Sequence, residues 1–142
     1  MNYTIQFEPD LSKEDEETVF AGLLEHAAFE TGLSSETLRS KKFGFIVRID
    51  GKIRAGLIMN IFCQAALMDT LWVDKTLRKQ GLGRMLLLEA EKFARAKCCT
   101  TAYLNTLSPD NISFYEKSGY TFEFARPKYL GEFAMHYFRK EL

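Results

Sequence analysis

The chain has 142 residues, 46% of them hydrophobic and 13% aromatic, which suits one globular domain spanning residues 1–142 and excludes a disordered chain. Its 19 basic and 19 acidic residues cancel, so no global field draws it to nucleic acid or to an acidic membrane surface. No apolar run reaches the roughly 20 residues that span a bilayer, and Met1 to Asp10 lack the basic-then-apolar order of a signal peptide, so the expectation is a cytoplasmic protein.

Residues 2 to 7 alternate weakly and end at Pro9, the pattern of a first strand. Asp10 to Ser12 offer caps for a helix running to Gly32, whose first turn is acidic, as the positive end of a helix dipole favours. Val19, Phe20, Leu23, Leu24, Ala27 and Ala28 recur at helical spacing and predict one buried face. Phe43, Phe45, Val47 and Ile49 alternate as a strand that Asp50-Gly51 interrupts with a tight hairpin turn. The return strand covers about Lys52 to Phe62, and another covers about Ala66 to Val73.

An amphipathic helix starts at Leu82, with Leu82, Leu86, Ala90, Phe93 and Ala94 on its apolar stripe. Thr101 to Thr106 read as a short strand, and Ser108-Pro109-Asp110 open a helix that stops by Gly119. Tyr120 to Phe124 and Phe133 to Phe138 are the closing strands. The order is an α+β arrangement, a mixed sheet with helices packed on it. Cys63, Cys98 and Cys99 form no CxxC pair, and His26 and His136 lie far apart, so reduced thiols and no metal site are expected.

The stretch Arg78-Lys79-Gln80-Gly81-Leu82-Gly83-Arg84 puts two glycines and three cations at a helix entrance. Glycine inside a helix costs roughly 1 kcal/mol relative to alanine, so the pair belongs where backbone freedom is useful. A Walker loop fails because Arg84 and Met85 follow Gly83, and a dinucleotide fingerprint fails because Leu86 stands where its third glycine belongs. A backbone nest remains, in which the amides of Gln80 to Arg84 converge on a pyrophosphate while Arg78, Lys79 and Arg84 add charge. A plain tight connection from strand to helix is the alternative for the glycines alone.

Leu71-Trp72-Val73 followed by Arg78-Lys79-Gln80-Gly81-Leu82-Gly83 resembles the acyl-CoA-binding motif of the GNAT family of N-acetyltransferases. Phe114-Tyr115-Glu116-Lys117-Ser118-Gly119-Tyr120 resembles that family's second motif, and the element order matches too. The resemblance implies a central, mostly antiparallel sheet flanked by helices and splayed between its fourth and fifth strands, those carrying Val73 and Tyr103. It implies acetyl-CoA as co-substrate and an amine-bearing small molecule or peptide as acceptor. By the family pattern Arg78, Lys79, Gln80, Gly81, Leu82, Gly83 and Arg84 hold the pyrophosphate. Trp72, Val73 and Asp74 give backbone contacts to pantetheine, with the Val73 amide polarising the thioester carbonyl, and Tyr115 is the general acid.

Ser108 stands where many members carry a cofactor-contacting asparagine, so it is either a contact or a helix cap. Asn111 reaches pantetheine or faces water. Asp69 is the acid inside its strand, sharing a face with Leu71 and Val73 by alternation, and is either the general base or a solvated edge residue. Tyr129, Phe133, Tyr137 and Phe138 line an acceptor pocket or fill core. An acyl-CoA sensor without turnover and a regulator acting through its sheet edge are the rival functions, and a homodimer through the terminal strands is compatible with each.

Overall fold

Residues 1–142 are all described in a computed structural model, where 1–39 and 40–142 fall into separate units. In the first, helix α1 (Lys13–Thr31) starts where Ser12 Oγ accepts from the Asp15 amide at 3.1 Å. It stops at Gly32, whose left-handed φ of 72° lets its amide reach the Ala28 carbonyl at 2.9 Å. Arg39 pairs with Glu17 and lies over the Phe20 ring.

Two expectations fail in this unit. Residues 2 to 7 form no strand: Tyr3, Ile5 and Phe7 are exposed, and the segment enters no ladder. Weak alternation is no substitute for a neighbouring strand. The apolar face of α1 is not buried either, since Leu24 is its one buried residue while Val19 and Leu23 are exposed. A unit of this size has too little chain to cover a whole helix face.

The second unit is built on one mixed sheet, and its strands are β1 (Lys41–Ile49), β2 (Lys52–Phe62), β3 (Ala65–Val73), β4 (Thr101–Thr106), β5 (Thr121–Leu130) and β6 (Phe133–Glu141). Their order across the sheet is β1-β2-β3-β4-β6-β5, with every neighbouring pair antiparallel except β3 and β4. Asp50 and Gly51, at φ 49° and 75°, make the two-residue turn that joins β1 to β2. Helix α2 (Leu82–Ala96) buries Leu86, Leu87, Ala90 and Ala94 in a core shared with Leu57, Met59, Leu104 and Phe138. The short α3 (Ile112–Lys117) follows a 3-10 turn at Pro109–Asn111 and adds Tyr115 to that core.

β5 runs six residues beyond the Phe124 end expected from the sequence and takes in Pro127. As the last strand in the order it needs no ladder donor on its outer side, so a proline is tolerated there, and the register slips between Arg126 and Leu130.

Two features of β2 and β3 place the site. Ala65, Ala66 and Leu67 pair with Thr101, Ala102 and Tyr103, and beyond them β3 and β4 part. On the other edge of β3, Ile58 pairs with Thr70 and Met59 with Met68, which leaves Asp69 as an unpaired bulge. The bulge shifts the alternation, so the core side of β3 carries Ala66 and Met68 and then Leu71 and Val73. Asp69 therefore does not share a face with Leu71 and Val73, contrary to strict alternation. A similar slip leaves Arg54 over in β2, and its guanidinium meets Asp74 at 3.3 Å and donates to Thr76 Oγ1 at 2.8 Å.

Phe138 is 1% exposed at the centre of the core, against the rings of Tyr115 and Phe122. Phe138→Ala should destabilise the chain by about 3–5 kcal/mol in urea unfolding, and a loss under about 1 kcal/mol would mean the core collapses around the vacancy. Asp74 accepts from the side chain and amide of Thr76 and from Arg54, which hold its carboxyl down to about 2. Its unfolded value is about 3.9, so its contribution to stability is complete above that value and vanishes as pH falls through about 2. Thr76→Val should move the Asp74 carboxyl titration, followed by NMR, upward toward the ordinary aspartate range; an unmoved titration would discount the hydroxyl.

Candidate functional site

β3 hands the chain to a 3-10 turn at Lys75–Leu77 that Asp74 caps through the Thr76 amide. Two side chains then fold back to brace the loop: Arg78 Nε donates to the Val73 carbonyl at 2.9 Å and Gln80 Nε2 to the Thr76 carbonyl at 3.4 Å. Arg78 and Gln80 thus serve the loop's shape through their side chains. Lys79 and Gly81 both take left-handed backbone, at φ 60° and 81°. Such reversals turn successive amides toward one side, which is the construction of an anion nest.

The two long helices begin in opposite ways. α1 has a serine cap and Glu14, Asp15 and Glu16 in its first turn. α2 has Gly81 at its cap, no side-chain cap bond and no acid in its first turn. Its first intrahelical acceptor, the Gly81 carbonyl, is taken by Met85, so the amides of Leu82, Gly83 and Arg84 have no intrahelical partner. A positive helix end without its own counter-charge, beside Lys79 and Arg84, suits an external anion.

Gly83 has a different task from Gly81. A Cβ there would meet Phe114 Cζ at 3.3 Å and Val73 Cγ2 at 3.8 Å, so its missing side chain lets the start of α2, the end of β3 and α3 converge. The need is close approach and not a left-handed backbone, as the sequence alone suggested.

The parting of β3 from β4 exposes backbone, and register decides which groups. The Asp74 amide donates to the Arg54 carbonyl at 2.8 Å, which makes Ala55/Val73 a non-hydrogen-bonded pair of the β2–β3 ladder. Val73 and, two residues back, Leu71 therefore turn their own amides to the gap, while Trp72 turns its amide to Gly56. Of Trp72, Val73 and Asp74, only Val73 presents its amide to the opening, and Leu71 joins it. The strand's period of two marks Leu71 in the same way.

Tyr115 is 9% exposed on α3, packed among Phe114, Tyr120 and Phe138, and burial pushes its phenol pKa up. Asn111 Nδ2 donates to Thr106 Oγ1 at 3.4 Å, and the Ser108 amide donates to the same oxygen at 3.2 Å. The Ser108 hydroxyl makes no cap bond, and the buried Thr106, which no motif marked, is what gathers the two. Asp69 is exposed at its bulge, just past the last β3–β4 pair. Phe138 is core and Tyr137 stacks on Phe124 at 4.5 Å, whereas Tyr129 and Phe133 are exposed. No three histidine, cysteine or acidic side chains are grouped to hold a metal, and no helix is long and apolar enough to cross a membrane.

The profile of the acetyltransferase (GNAT) family matches residues 6–120. An acetyltransferase of Agrobacterium fabrum is 33% identical over 51% of this chain and 53% of its own, so the match spans about half of that relative. The blasticidin-S acetyltransferase of Streptomyces morookaense is 32% identical over 65% of this chain and 68% of its own. Among solved structures, that of an Agrobacterium tumefaciens protein superposes with a TM-score of 0.83 at 22% identity, covering all of both chains. One from Bacillus cereus superposes at 0.79 and 24% identity, over 96% of this chain and 98% of that one. With the family profile covering most of its length, from the start of the chain through α3, the protein belongs to the GNAT family of acetyltransferases.

Proposed function

We propose that the chain transfers an acetyl group from acetyl-CoA to a primary amine by direct attack in a ternary complex. The observation that carries this reading is the uncapped, acid-free start of α2 behind left-handed Lys79 and Gly81, beside a sheet opened at Val73. The nest seats the pyrophosphate, with Lys79 and Arg84 adding charge. Pantetheine then runs along the gap-facing amides of Leu71 and Val73, and the Val73 amide donates to the thioester oxygen as charge builds on it.

The neutral amine attacks the thioester carbon, the new C–N bond forms and the C–S bond breaks. The departing thiolate takes the Tyr115 proton, and the proton lost by the amine restores the phenol through solvent. Burial raises the Tyr115 pKa, so the phenol carries its proton in the resting enzyme. Asp69, exposed where the strands part, is the carboxylate offered to an incoming ammonium. Blasticidin S, the amine named for one relative, belongs in the acceptor panel beside polyamines and peptides with a free amino terminus.

Calorimetric titration should show acetyl-CoA binding on the micromolar scale, and release of free thiol should follow when the right amine is added. Binding without turnover on any amine would make the chain an acyl-CoA sensor, and no binding would end the enzyme reading. Tyr115→Phe should lower kcat by about a hundredfold while leaving the Kd for acetyl-CoA within about twofold. Gly81→Val should weaken CoA binding about tenfold with a modest fall in Tm, since it strains the left-handed cap. Gly83→Val should lower Tm as well, because its side chain displaces Phe114. Unchanged affinity in a folded Gly81 variant would reject the nest.

A further inference from the structure

Helix α3 has six residues, too few to hold its own shape or place, so the Tyr115 phenol is only as well positioned as the neighbours that grip that helix. The grip is at its end. The Tyr115 carbonyl accepts from the amides of Ser118 and Tyr120, at 3.1 and 3.0 Å. Lys140 Nζ, reaching in from β6, donates to the Ser118 carbonyl at 2.9 Å. Its stem passes where a side chain of residue 119 would stand, since a Cβ on Gly119 would lie 3.2 Å from Lys140 Cε.

Both anchors of this segment end on one group. Glu91, in the middle of α2 and 1% exposed, accepts from Tyr120 Oη at 3.1 Å with one carboxylate oxygen and from Lys140 Nζ at 2.8 Å with the other. Arg95, one turn on, is more distant at 3.9 Å. Burial and the neighbouring carboxylate push the Tyr120 phenol pKa upward, so it stays a donor. A buried carboxylate is costly unless its partners are fixed, and these partners belong to β6 and to the residues that close α3. The same α2 forms the anion seat at its first turn. Glu91 thus ties the helix that carries the anion seat to the segment that closes the phenol's helix.

We infer that Glu91 is a positioning residue for acyl transfer, holding Tyr115 in register with the glycine loop through Tyr120 and Lys140. The inference rests on the reading of Tyr115 as proton donor. It goes beyond packing, because its effect should pass through the Tyr115 hydroxyl.

A double-mutant cycle separates the two. Glu91→Gln should lower kcat about tenfold, with KM and Kd for acetyl-CoA within about twofold, and the loss should shrink to under about twofold in the Tyr115→Phe background. The same factor in both backgrounds, or a parallel loss of CoA binding, would reduce Glu91 to a folding role and overturn the inference. Tyr115→Phe alone is measured first: a normal kcat there defeats the proton-donor reading itself, and the inference with it. Should Glu91→Gln not fold, Tyr120→Phe removes one hydroxyl and leaves the ion pair, and about a threefold loss confined to the Tyr115 background is expected. Independently of any acceptor, the 13C ring-carbon resonance of Tyr115 in the CoA complex should move in Glu91→Gln and in Tyr120→Phe. A resonance unmoved in both would overturn the inference.

Discussion

Everything about the site depends on two parallel strands that stay together for three residues and then part. β3 and β4 are paired from Ala65 to Leu67 and from Thr101 to Tyr103, and beyond that point they no longer pair with each other. Unpaired backbone in a sheet interior is unfavourable unless something satisfies it. Here the strands are held apart by their other neighbours. β3 remains laddered to β2 up to Val73, and β4 remains laddered to β6 up to Thr106. The opening is thus a stable slot whose walls carry unspent donors, the form a linear amide-bearing ligand matches.

The slot ends at a crowded corner where the two glycines divide the work. Gly81 supplies a left-handed backbone that turns the amides outward, and Gly83 supplies the absence of a side chain where Phe114 and Val73 press on the helix start. The side chains of Arg78 and Gln80 are spent on bracing the loop, so the seat owes its charge to main-chain dipoles, Lys79 and Arg84. The Arg54–Asp74–Thr76 cluster fixes the other end of the same loop. In the proposed reading, this bracing shapes the nest before CoA binds, which limits the entropy lost on binding.

Placement of the phenol is a separate problem. The 3-10 turn and the short helix carry little structure of their own, and Thr106 at one end and the Glu91 pair at the other set their position. The position of the Tyr115 phenol therefore relies on buried polar groups at both ends of its helix.

Local chemistry was legible in the residues themselves. Asp50-Gly51 as a hairpin, Ser12 and Gly32 as the ends of α1, Gly81 as the start of α2 and the strand over Thr101 to Thr106 all follow from short-range sterics and capping, which act within a few residues. The family motifs pointed to the glycine loop and to Tyr115, which the fold places at the start of α2 and on α3. What spacing did not carry were outcomes set by distant partners. Residues 2 to 7 alternate but find no ladder, and Pro127 stands inside β5 because that strand lies at the sheet's edge. Asp69 bulges because β2 offers one residue fewer than β3, and that slip decides which face every later side chain takes. Glu91 lies in an amphipathic helix, and its burial comes from Tyr120 and Lys140, 29 and 49 residues away, closing over it. Pairing register and burial are properties of the assembled sheet, and no single segment contains them.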